Sequence, residues 1–129
     1  MKTEERAALV KYRMQRAEET LSEVSILIDN ELANTAVSRL YYACFYAVSA
    51  LLIKNGIASK THSGTRKMFI LHFIKTEIIE KELGKFYSDI FNERQTSDYS
   101  DFIDFDLKEV QDFIKPASQL VAAIKKLLV

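Results

Sequence analysis

Three glycines and one proline in 129 residues leave this chain few places to reverse direction. An all-β sandwich or barrel needs a turn signal about every 8–12 residues, so such folds do not fit. Long helices with few connections do. Hydrophobic residues make up 48% and charged residues 28%, enough for a core beneath a charged surface. A chain of this length is expected to form one domain, residues 1–129.

Apolar periodicity predicts five helices. The first covers Thr3 to Asp29, where Val10, Met14, Ala17, Leu21, Val24 and Ile28 recur at threes and fours and Asp29-Asn30 is the stop. The second covers Leu32 to Asn55, with Gly56 as the glycine just past its end. Leu40, Tyr41, Cys44, Phe45, Val48, Leu51 and Leu52 form one face of it, and Ser38, Tyr42, Tyr46, Ser49 and Ile53 a second, partly apolar one. A helix apolar on two sides is enclosed by its own chain or by another subunit, so it is expected at the centre of a bundle that forms a homodimer.

The third helix is expected from Ser63 to Lys75, with Met68, Phe69, Phe73 and Ile74 inward. The fourth runs from Glu80 to Ser97, with Leu83, Phe86, Tyr87, Ile90 and Phe91 inward, and an acidic aromatic loop follows. Asp106 and Glu109 are spaced as a capping box, so the fifth helix starts near Leu107. Its seam is Leu107, Val110, Ile114, Ala117, Val121, Ile124 and Leu128, with a kink expected at Pro116. The expected fold is all-α: an up-and-down antiparallel bundle of about five helices, dimerising.

A single cysteine rules out an internal disulfide framework and fits a reducing cytosol, so a cytoplasmic location is expected. The N-terminus is charged from residue 2, unlike a secretory signal. The longest apolar run, Leu40 to Ile53, is too short for a bilayer, and no membrane partner is expected. Net charge is zero but segregated: residues 32–76 hold six basic and no acidic side chains, and residues 77–112 hold four basic and eleven acidic ones. Such a dipole can pair with itself across the fold, or offer a basic patch to an anion and an acidic one to a partner.

Few residues stand out for chemistry. Arg39 is the only charge between Glu31 and Lys54, and is expected to pair with an acid of the 77–112 segment; the sharper reading has it face a phosphate. Arg94 lies on the apolar phase of the fourth helix, four residues after Ile90, with Asp98 in reach of a local pair and Tyr99 beside it. Arginine's planar, permanently charged fork suits a phosphate clamp, so Arg94, Asp98 and Tyr99 form a candidate phosphate site. Cys44 reads as a small core residue, and His62 and His72 as structural or solvated. Asp98, Asp101, Asp104 and Asp106 lack the glycine and terminal glutamate of a calcium loop. There is no glycine-rich phosphate loop, nucleophile elbow or zinc signature, so neither a cofactor nor a metal is expected.

The strings SRLYYACFYAVSALL, KTHSG, FIKTEII with KELGK, and FNERQTSDYSDF, in that order, resemble the HEPN domain family, and most closely its small stand-alone prokaryotic members. The likeness covers about residues 5 to 128. It implies a dimerising helical bundle and pairing with a minimal nucleotidyltransferase in toxin–antitoxin-like modules. It also implies, for many members, metal-independent RNA cleavage by an arginine and a histidine separated by four to six residues. Arg94 matches the arginine, while Tyr99, Ser100 and Asp101 stand where the histidine belongs. Some relatives carry a nearby tyrosine that the partner modifies with nucleotide, and Tyr99 stands beside that place. The resemblance therefore implies a nucleotide- or RNA-phosphate-binding and partner-binding component without the usual histidine. The alternatives are an RNase in which Asp98, Tyr99 or the distant His62 replaces it, and a purely structural interaction domain.

Overall fold

The computed structural model describes residues 2–99 and 104–129, with the side chains of residues 97–99 outside the description. Helix α1 is Thr3–Asp29, α2 is Ala33–Lys54, α3 is His62–Phe69, α4 is Lys81–Tyr99 and α5 is Leu107–Leu127. α3 continues directly into a π-helical segment, Ile70–Ile74. The described residues thus form an all-α bundle.

The C-terminal ends of α1 and α2 follow from the chain's own hydrogen bonds. After α1, the Leu32 amide bonds the Leu27 carbonyl at 2.9 Å and the Glu31 amide bonds that of Ile28 at 3.0 Å. This is a Schellman closure, and it puts Glu31 at φ 59°, in the left-handed region. After α2 the same pattern recurs with Gly56 at φ 70°: Ile57 bonds Leu52 and Gly56 bonds Ile53. Here the residue past the helix end is the glycine the geometry favours.

α2 packs against each of the other four helices. Its buried residues are Ala36, Val37, Leu40, Tyr41, Ala43, Cys44, Ala47, Val48, Ala50, Leu51 and Leu52. By length and composition it could cross a membrane, yet 61% of its apolar window is buried among its neighbours, as a bundle's core helix would be. Its second face, Ser38, Tyr42, Tyr46, Ser49 and Ile53, remains half-exposed, and Phe45, expected on the first face, is half-exposed beside it, so within one chain α2 is enclosed on one side. α1 contributes Met14, Ala17, Val24 and Ile28 to the core, and α4 contributes Leu83, Tyr87, Ile90 and Phe91.

Several expectations need correction. The third helix does not stay α-helical to Lys75: the Lys75 amide reaches back five residues to the Ile70 carbonyl. Ile74 of this widened turn lies against Gly84 of α4. α4 runs to Tyr99, so Asp98 and Tyr99 end a helix rather than open a loop. The α5 seam is broader than the heptad spacing implied, because Leu120 is fully buried while Ile114 is half-exposed. Asp106 does cap α5, but its carboxylate accepts the Lys108 amide at 3.4 Å rather than the Glu109 amide of a capping box. Pro116 sits inside a helix that continues to Leu127. Of the acidic loop, Phe105 is buried, its amide bonding the Asn34 side chain at 2.9 Å, while Asp104 and Asp106 are exposed. Asp101 lies outside the described residues.

Candidate functional site

Tyr41 and Tyr42 are adjacent on α2, so their side chains leave the helix about 100° apart. Tyr41 points into the core and is fully buried, whereas Tyr42 stands at its edge, half-exposed. His62, the first residue of α3, is brought against both. Its Nδ1 lies 2.6 Å from the Tyr41 hydroxyl, and its ring stacks on Phe45 with centroids 4.3 Å apart. Thr61 caps α3 by accepting the Gly64 amide at 2.8 Å, and this cap sets where His62 begins the helix.

Arg94 reaches the same tyrosines from α4. An Nη2–H of Arg94 donates to the Tyr42 hydroxyl at 2.9 Å. The guanidinium carbon lies 5.2 Å from the Tyr42 ring centroid and 5.5 Å from that of Tyr41. Aromatic faces attract a cation, so the two tyrosines hold the charge in place. Arg94 is thus on the inward phase that its spacing predicted, with Tyr42 as a described partner.

The electrostatics follow from this packing. Burial, with the Arg94 charge adding to it, lowers the His62 pKa below its ordinary value. Both effects disfavour a second positive charge, so His62 is neutral at pH 7 and able to accept a proton. Burial pushes the Tyr41 hydroxyl up to about 12, which keeps it protonated. Cys44 is likewise pushed up to about 12 by burial, which agrees with its reading as a core residue.

The other sequence candidates fall elsewhere. Arg39 does not pair with the 77–112 segment: its Nη2 lies 3.2 Å from a Glu23 carboxylate oxygen on α1, and both side chains are partly exposed. The acid is on the neighbouring helix because α1 is the neighbour of α2 along this edge. Among the described residues no ion pair joins the basic 32–76 and acidic 77–112 segments; Arg39 and Lys125 both pair with α1, through Glu23 and Glu18. Asp98 and Tyr99 close α4 one turn beyond Arg94, with their side chains outside the description. His72 is exposed on the π-helical segment. Among the described residues no three His, Cys, Asp or Glu side chains converge as metal ligands.

His62, Tyr41 and Tyr42 are therefore the site residues that reading along the chain underrated. The one available signal was the KTHSG string, where a threonine cap precedes a histidine at a helix start.

An all-helical bundle around an apolar, tyrosine-bearing second helix, with an arginine near the end of the fourth, agrees with direct comparison. The family model described as HEPN domain matches residues 10–127, and the chain belongs to the HEPN family. A UPF0332 protein of Thermotoga maritima is 41% identical over 124 residues, spanning 96% of this chain and 94% of its own. Two candidate toxins of Methanocaldococcus jannaschii are 36% and 38% identical, spanning 90% and 87% of this chain and 79% and 83% of theirs.

Proposed function

We propose that this protein is the toxin-like component of a HEPN module and that Arg94 and His62 form one site acting on an RNA phosphodiester. The observation that carries the reading is the convergence of these two residues, from different helices, on the Tyr41–Tyr42 pair. The family membership and the candidate-toxin names of two relatives support it. Among the two alternatives to a binding-only module, it favours the RNase with His62 in the histidine's place.

The chemistry is that of internal transesterification. The base is the His62 tautomer whose Nδ1–H donates to the Tyr41 oxygen, which keeps a lone pair on Nε2. Nε2 takes the proton of a ribose 2′-hydroxyl as its oxygen bonds to phosphorus. The bond from phosphorus to the 5′-oxygen breaks, that oxygen takes a proton from water, and a 2′,3′-cyclic phosphate remains. Arg94 offsets the charge growing on the non-bridging oxygens. No metal enters these steps.

The protein acts in the cytoplasm as a homodimer, joined across the half-exposed aromatic strip of Tyr42, Phe45 and Tyr46 on α2. A minimal nucleotidyltransferase is its partner, and Tyr99, at the end of α4, is the residue that partner modifies. Sedimentation at micromolar concentration should give a dimer; a monomer contradicts that part.

RNA incubated with the pure protein in EDTA tests the reading. Products bearing 2′,3′-cyclic phosphate are expected. Intact RNA after prolonged incubation overturns it.

A further inference from the structure

Arg66 lies on α3 four residues after His62, so the two side chains share a helix face about 6 Å apart along the axis. Its guanidinium carbon sits 4.9 Å from the ring centroid of Phe91, and Phe91 precedes Arg94 by three residues on α4. The Phe91 ring in turn stands 5.9 Å from that of Tyr41, the ring that Arg94 covers. Arg66 and Arg94 therefore flank one aromatic cluster, with His62 on the same α3 face as Arg66.

The surroundings of Arg66 call for an anion. Among the described residues its buried Nε has no hydrogen-bond partner and no carboxylate pairs with it. The stretch from residue 60 to 75 also carries Lys60, Lys67 and Lys75, and no aspartate or glutamate. A half-buried guanidinium without an acid is costly unless something negative arrives. Phe91 already restrains this one, so little side-chain freedom is lost when it binds.

We propose that Arg66 binds the phosphate next to the one held by Arg94. The ligand is then an oligoribonucleotide strand with at least two consecutive phosphates, not a mononucleotide. This rests on the Arg94–His62 reading and adds the substrate class to it.

The test measures binding by fluorescence anisotropy. The probes are a mixed-base hexanucleotide with 2′-O-methyl sugars, which cannot be cleaved, and uridine 3′-monophosphate in competition with it. Arg66→Ala is expected to weaken the hexanucleotide by about tenfold. It should also flatten the slope of log affinity against log salt by about 0.7, the share of one phosphate contact on a single strand. Competition by the mononucleotide should still need the wild-type concentration relative to its own binding at Arg94, while Arg94→Ala weakens both ligands. Arg66→Lys, which keeps the charge but not the fork, should fall between, and it serves if the alanine variant melts early. Wild-type affinity and salt slope in Arg66→Ala, with Arg94→Ala weakened, overturn this inference alone. A wild-type protein that binds neither ligand, or an Arg94→Ala that binds both normally, overturns the underlying reading and this inference with it.

Discussion

The Tyr41 hydroxyl and His62 Nδ1 stand 2.6 Å apart, in a hydrogen bond between the core helix of the bundle and the first residue of α3. Tyr41 is fully buried and remains protonated well above neutral pH. The bond occupies Nδ1 and leaves Nε2 as the ring nitrogen available to a ligand. It also ties the placement of a solvent-edge histidine to the packing of the core.

The lowered pKa of His62 makes stability depend on pH. The folded protein holds its proton less tightly than the unfolded chain, whose histidine titrates near 6.5. As pH falls through about 6.5 the unfolded state gains protons first, so stability declines toward acid and is retained above that range. Melting temperature should drop between pH 7.5 and 5.5, and His62→Gln should show a smaller drop. Equal drops in both proteins would place the effect elsewhere.

Gly84 lets the π-helical segment approach α4. A β-carbon there would lie 2.8 Å from Ile74 Cγ1, 2.9 Å from Cδ1 and 3.0 Å from Cγ2. Ile74 is β-branched and stiff at χ1, so its side chain cannot yield freely to the added methyl. Gly84→Ala should therefore destabilise the protein by about 1–3 kcal/mol despite its better helix propensity, as read by denaturant midpoint.

Thr20 on α1 is fully buried, and its hydroxyl has no hydrogen-bond partner among the described residues. Valine has the same shape without the polar atom. Thr20→Val should raise stability by about 1 kcal/mol, measured by chemical denaturation.

Much of the fold is legible in the sequence, because helical periodicity and end signals are local. α1 spans the expected residues, and Gly56 takes the left-handed backbone expected of it. The π-helical segment is not legible: Phe69 and Phe73 keep the spacing of an α-helix, and the change to five-residue hydrogen bonds depends on contact with α4. Arg94 is legible as a charge on an apolar face. Its association with His62 is not, since the two lie on different helices and meet only through Tyr41 and Tyr42. Arg39 shows the same gap. Its need for a partner is written in the chain, but Glu23 is chosen by which helix lies alongside.

The most direct measurement is the rate of RNA cleavage in EDTA by wild type, Arg94→Ala, His62→Gln and the double variant, each checked for helicity. Each single variant should lose about 10²–10³-fold or more. The double variant should be little worse than the weaker single, because groups serving one step are not additive. Cleavage by His62→Gln at the wild-type rate would contradict the account, whatever Arg94→Ala does.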